Sequence, residues 1–227
     1  MRIAFDLDGT LYDSLPIFVE INNKILKELG YSSITKEDYI RHIQPEDWKK
    51  MYSSLGVKEN DVTKVISSWI TEFGKKESPK LAKNAKELIL FIEKKFGVEN
   101  IYFITNETLK GIRKRFKRDG FMNYINRVRS TFQGKSEELY DLAKSHDSLL
   151  VYVGDTISDG EECLKAREKG AKNLAFIVLI SNHSINNPKE MLSFVQKNCN
   201  FAIASHSLKG IGNLLNLLNK QCNQINN

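Results

Sequence analysis

Five short runs, Arg2–Phe5, Ile101–Ile104, Leu149–Val153, Leu174–Leu179 and Phe201–Ala204, limit what this chain can fold into more than any other feature. They are largely apolar, several are rich in Val and Ile, and polar or turn residues follow them at once. Strands buried on both faces of a parallel sheet have this pattern. Between most of them lie helical patterns: Leu81–Phe96, with Leu88, Phe91, Ile92 and Phe96 on one face, then Lys135–Lys144 and Gly160–Lys169. Leu208–Leu218 adds another near the end. Strand and helix in alternation predict an α/β fold with a Rossmann-like, doubly wound parallel sheet.

One stretch breaks the rhythm. From Asp13 to about Pro79 only helical patterns occur, interrupted at Gly30, Pro45, Gly56 and Gly74. Their apolar positions, such as Phe18, Ile21, Ile25 and Leu29, or Val62, Ile66 and Ile70, recur at helix spacing and form a core of their own. At roughly 150 residues per domain, 227 residues suit one domain carrying a sizeable insertion. The expected organisation is a core at residues 1–13 and 80–227 with an all-helical domain at 14–79. The Asn- and Gln-rich end, Asn219–Asn227, reads as frayed.

Composition removes several classes of function. The longest apolar run, Leu174–Ile180, is far below the roughly 20 residues of a membrane span, and the first strand leads straight into acidic residues with no leader pattern. Cys163, Cys199 and Cys222 are odd in number, widely separated and without CxxC spacing, which suggests neither a disulfide frame nor a zinc site and makes a reducing cytoplasm the expected compartment. The 34 Lys and Arg exceed the 28 Asp and Glu by only 6, enough to suit a phosphorylated small molecule but too few to define a nucleic-acid binder. Lys110–Arg118 contains six basic residues, yet Ile112 and Phe116 at helical spacing make it a solvated amphipathic helix. Trp48 with Tyr52, and Val65 with Trp69, read as core of the insert; His146, His183 and His206 lack metal-ligand spacing.

The chemistry gathers at strand ends, where open α/β sheets bind ligands. Asp6-Leu7-Asp8-Gly9-Thr10 follows the first strand, and Gly9 permits a sharp turn. Thr105-Asn106 follows the second, Lys135 opens a helical pattern, and Gly154-Asp155-Thr156-Ile157-Ser158-Asp159 closes the third.

In these segments the chain resembles the haloacid dehalogenase superfamily, in the branch whose helical cap lies between the first and second motifs, like phosphoglycolate phosphatases and β-phosphoglucomutases. The resemblance rests on DLDGTLYDS (Asp6–Ser14), FITN (Phe103–Asn106), GKSEELYDLAK around Lys135 and GDTISDGEECLKAREKGAK from Gly154. Two departures stand out: Ser136, where a proline is frequent, and Ser181–Asn198, where a shorter connection is usual. The resemblance implies that Asp6 is the nucleophile, forming an aspartyl-phosphate, and that Asp8 is the general acid and then the base. It implies a Mg²⁺ held by the side chains of Asp6 and Asp155 and the main-chain carbonyl of Asp8, with Asp159 supporting it directly or through water. Thr105, Asn106 and Lys135 would donate to the transferring phosphoryl oxygens. Asp8 itself separates the chain from dehalogenating members, which expel a halide that needs no proton.

The expected function is therefore a Mg²⁺-dependent phosphatase of small phosphorylated metabolites, cytoplasmic, a monomer or weak homodimer, with neither membrane nor nucleic acid as partner. Two alternatives stay open: a sugar phosphomutase with the same constellation, and a non-catalytic protein that binds nucleic acid or protein on this fold. Substrate choice would reside in the helical insert, where Arg41-His42-Ile43-Gln44-Pro45 joins two helical patterns and offers Arg41 and Gln44 as contacts.

Overall fold

The computed structural model describes residues 1–42, 48–75, 79–131 and 134–225. The chain begins with strand β1 (Arg2–Phe5), turns through Asp6–Leu11 and forms the two-residue strand β2 (Tyr12–Asp13). Four helices follow: α1 (Leu15–Glu28), α2 (Lys36–His42), α3 (Trp48–Ser54) and α4 (Glu59–Lys75). Strand β3 (Lys80–Leu81) pairs antiparallel with β2, so a small ribbon stands where the chain leaves the sheet domain and returns to it. Then come α5 (Ala85–Phe96), β4 (Ile101–Thr105), α6 (Leu109–Asp119), β5 (Val128–Ser130), α7 (Ser136–Lys144), β6 (Leu150–Gly154) and α8 (Ile157–Glu168). The chain continues through β7 (Leu174–Leu179), α9 (Pro188–Lys197), β8 (Ala202–Ser205) and α10 (Leu208–Ile225). Two compact units result: Met1–Asp13 with Lys80–Asn227, and Ser14–Pro79.

The first unit is the expected α/β fold. Its six strands are parallel and ordered β5-β4-β1-β6-β7-β8. Successive side chains leave opposite faces of a strand. Ile3 and Phe5 therefore join Phe103, Phe116 and Val153 under α5, α6 and α10. Ala4 joins Ile104, Tyr152 and Phe176 under α7, α8 and α9. Phe5 lies level with Phe103 on one side and Val153 on the other, which brings the carboxyl ends of β1, β4 and β6 together. The winding moves outward from β1 to β4 and β5, then crosses to β6, β7 and β8. That reversal puts the ligand-binding switch point at the end of β1, where Asp6 stands.

In the second unit α1 packs on α4 and α2, and α3 on α4. Buried Asn22 accepts a hydrogen bond from the Tyr52 hydroxyl (2.7 Å), and Phe18, Tyr39, Trp69 and Phe73 form a ring cluster in which Trp69 and Phe73 stack at 4.9 Å. No helix among the described residues is long and apolar enough to cross a membrane.

Four details differ from the sequence reading. Strand β5, Val-Arg-Ser, is a half-exposed edge strand with no apolar run to announce it. Leu81 belongs to the ribbon, so α5 starts at Ala85; α8 starts at Ile157, three residues before the periodic pattern, because Thr156 caps it. The polar C-terminal end is helical through Ile225 and does not fray at Asn219.

Arg2, at the head of an otherwise apolar strand, is buried. Its guanidinium reaches the carbonyls of Leu142 and Ala143 at the end of α7, and those of His146 (2.8 Å) and Ser148 (3.3 Å) beyond it. These carbonyls lack partners within a helix, and a cation suits the negative end of the dipole. Arg2→Met should lower stability by about 1–3 kcal/mol, read as a lower urea midpoint with an unchanged slope. An unchanged midpoint would show that water replaces these bonds without cost.

Candidate active site

Three buried acids and one buried ammonium define the site. Asp6 follows β1, Asp155 follows β6, and Asp159 lies in the first turn of α8; one ligand oxygen from each lies within 4.8 Å of the others. Lys135 precedes α7 and sends Nζ to Asp6 Oδ1 (2.6 Å) and Asp159 Oδ1 (2.7 Å). Tyr152 stands beside them, its hydroxyl 3.1 Å from Lys135 Nζ and donating to Asp159 Oδ1 at 2.8 Å. Asp159 Oδ2 accepts from the Thr156 amide (3.1 Å) and hydroxyl (2.7 Å), while Thr156 Oγ1 accepts from the Asp159 amide (3.2 Å). Asp159 is thus both a member of the site and half of a capping box.

Asp155 is braced from two sides. Thr10 donates its hydroxyl to Oδ1 (2.9 Å), and the Ile185 amide donates to Oδ2. Asn186 Nδ2 donates to the Asp155 carbonyl (2.7 Å), and His183 Nε2 donates to the Thr10 carbonyl (3.0 Å). The Ser181–Asn198 segment, a departure at the sequence level, therefore supplies the loop that holds Asp155 before α9 begins. Gly9 is required where it stands: its φ is +78°, and a Cβ there would lie 2.3 Å from Asp155 Oδ2.

Lys135 is held by a residue the sequence reading did not single out. Glu162 Oε2 accepts the main-chain amides of Lys135 and Ser136, both at 2.7 Å, while Oε1 pairs with Lys165. A proline at 136 could not make the second of these bonds. The serine and Glu162 belong together.

Asp8 is held by Arg115 of α6, whose Nη1 donates to Oδ1 at 2.8 Å. The solvated-helix reading of Lys110–Arg118 fails at this residue, since the Arg115 side chain is 0% exposed. Nη2 lies 2.6 Å from Glu107 Oε2, and the guanidinium carbon sits 5.1 Å from the ring centre of Tyr12. The signal was present in the spacing. Ile112, Arg115 and Phe116 fall at i, i+3 and i+4 on one buried stripe, and half-buried Asp119 at i+7 accepts from the Tyr12 hydroxyl (3.0 Å).

Thr105 is buried at the end of β4 and Asn106 is exposed just beyond it. Arg41 is exposed at the end of α2 in the other unit, 3.8 Å from Asp38. Gln44, with Ile43 and Pro45, lies outside the described residues.

Charge in the site is unbalanced, with three carboxylates facing one ammonium. Burial pushes Asp6 up to about 7, against the opposing pull of Lys135, and burial with the fields of Asp159 and Asp6 holds Asp155 well above the carboxylate range. Burial also acts on Asp159, but Lys135 and the bonds from Thr156 and Tyr152 outweigh it and keep that carboxyl low. The same two acids outweigh burial at Lys135 and keep it an ammonium. Excess negative charge on hard oxygen donors, at a strand end, fits a divalent cation such as Mg²⁺.

The geometry agrees with the comparisons. A family model for haloacid dehalogenase-like hydrolases matches residues 3–172, and the chain belongs to that family. Among solved structures it is similar to a haloacid dehalogenase-like family hydrolase from Streptococcus pneumoniae, with 16% identity and a TM-score of 0.69 over 92% of this chain and 95% of that one. A predicted phosphoglycolate phosphatase from Haemophilus somnus gives 16% and 0.67 over 96% and 97%. A family hydrolase from Deinococcus radiodurans with bound phosphate and sodium gives 14% and 0.65 over 90% and 91%. At such identities the likeness is one of fold. Comparison with curated proteins finds no match.

A carboxyl raised in the folded state binds more protons there than in the unfolded chain, so Asp6 destabilises the metal-free protein as pH climbs from about 4 through about 7. Asp155 acts in the same direction and Asp159 in the opposite one. A divalent cation competes with those protons. Mg²⁺ should therefore raise the melting temperature more at about pH 8 than at about pH 5. Asp155→Asn should raise the metal-free melting temperature at the higher pH and abolish most of the Mg²⁺ increment. Equal increments at both pH values, or an undiminished one in the variant, would contradict the cation fit.

Proposed function

We propose that this hydrolase is a Mg²⁺-dependent phosphatase of small phosphorylated metabolites that carries the phosphoryl group on Asp6. The observation that supports this most is the convergence of Asp6, Asp155 and Asp159, two of them bonded to Lys135, with a further acid, Asp8, two residues after Asp6. Two structures of the same fold, one described as a predicted phosphoglycolate phosphatase and one with bound phosphate and sodium, are compatible with this reading.

The Asp6 and Asp155 side chains and the Asp8 carbonyl would hold the cation. When bound, it supplies positive charge that offsets the repulsion between a dianionic ester and a carboxylate nucleophile. Asp159, whose oxygens are engaged by Lys135, Tyr152 and Thr156, acts by fixing the ammonium. Lys135 contributes a permanent charge beside Asp6, and Thr105 and Asn106 donate to phosphoryl oxygens.

In the first step an Asp6 oxygen bonds to phosphorus, the ester P–O bond breaks, and the departing oxygen takes the proton of the Asp8 carboxyl. In the second, a water oxygen bonds to phosphorus, the bond to Asp6 breaks, and the water proton passes to the Asp8 carboxylate. Both groups return to their starting states. The helical unit would act as a cap that excludes bulk water, with Arg41 and Gln44 as candidate contacts to the rest of the ester. A reducing cytoplasm suits the free thiols of Cys163 and Cys199.

A panel of phosphorylated metabolites should release phosphate in Mg²⁺ and not in excess EDTA. Asp6→Asn should lose roughly 10³-fold or more in turnover while keeping its circular dichroism, because it removes a reacting group and no core contact. An active Asp6→Asn enzyme, or release that ignores EDTA, would overturn this assignment.

A further inference from the structure

The Arg115 arrangement exceeds what a structural tie between α6 and the first motif requires. A carboxylate in a turn has several accessible rotamers, and proton transfer demands one of them within hydrogen-bond reach of the reacting oxygen. Arg115 removes that freedom: it is wholly buried, rests on the Tyr12 ring, and divides its guanidinium between Asp8 Oδ1 at 2.8 Å and Glu107 Oε2 at 2.6 Å. Glu107 is itself anchored, its amide donating to Thr105 Oγ1 (3.2 Å) and its carbonyl accepting from the Ser130 hydroxyl. The fork thus links Asp8 to the end of β4 and the start of α6.

We propose that Arg115, braced by Glu107, is a positioning residue that fixes the Asp8 carboxyl for proton transfer to the leaving oxygen and from the attacking water. The inference rests on the phosphatase reading, and the two fail in distinguishable ways. With nitrophenyl phosphate the leaving phenolate needs no proton, so phosphorylation of Asp6 is insensitive to where Asp8 points, whereas hydrolysis of the intermediate depends on it. In single turnovers with enzyme in excess, nitrophenolate reports the first step and free phosphate the second.

Arg115→Lys retains a buried cation but has no planar fork with which to hold both carboxylates. It should fold, release nitrophenolate within about twofold of the wild-type rate, and release phosphate about tenfold more slowly or worse. Placed in an Asp8→Asn background, the same substitution should cost nothing further, since its effect passes through Asp8. Arg115→Met should show the same split with a larger loss; a failure of that variant to fold leaves the lysine variant decisive. Equal slowing of both steps, no slowing of phosphate release, or an undiminished loss in the Asp8→Asn background would overturn the proposal. If the wild type transfers no phosphoryl group at all, the phosphatase reading fails and this inference with it.

Discussion

Lys135 sits between two carboxylates it cannot both neutralise and leave available, and much of the sheet domain is arranged around that shortage of positive charge. Its ammonium satisfies Asp159, which is also tied to Tyr152 and the cap of α8, and it only partly compensates Asp6. Asp155 adds a third buried carboxyl, with two neutral donors. Buried carboxylates without full compensation are costly, and a fold keeps them where a ligand supplies the balance. The parallel sheet explains how they meet: β1 and β6 are neighbours in register, so groups just past their ends converge without any loop having to reach.

The α/β sheet and the strand-end clusters were legible because both depend on local pattern. Runs such as Leu150–Gly154 are buried on both faces and therefore continuously apolar, and acids placed directly after them have one place to go. What could not be read depends on partners distant in sequence. Glu162 supports Lys135 from 27 positions away, and Ile185 braces Asp155 from 30. Arg115 sits amid five other basic residues of a charged helix, and composition concealed what its i+3 spacing from Ile112 would have revealed. Strand β5 escaped because edge strands need no apolar run.

Departures from the family pattern turn out to be coupled. Ser136 in place of a proline goes with Glu162, which takes the extra amide, and the longer Ser181–Asn198 segment goes with a brace on Asp155. In both cases a residue distant in sequence fixes a motif residue. Such bracing holds a reactive group to a fraction of an ångström, which the chemistry proposed for Asp6 and Asp8 requires.

Transfer of the phosphoryl group to Asp6 is tested most directly by finding that group in place. Acid quenching during turnover, followed by mass analysis of the N-terminal peptide, should show one added phosphoryl mass localised to Asp6, absent without substrate and removed by hydroxylamine. A phosphoryl group on another residue, or turnover that never leaves one on the chain even when hydrolysis is slowed by Asp8→Asn, would contradict the account.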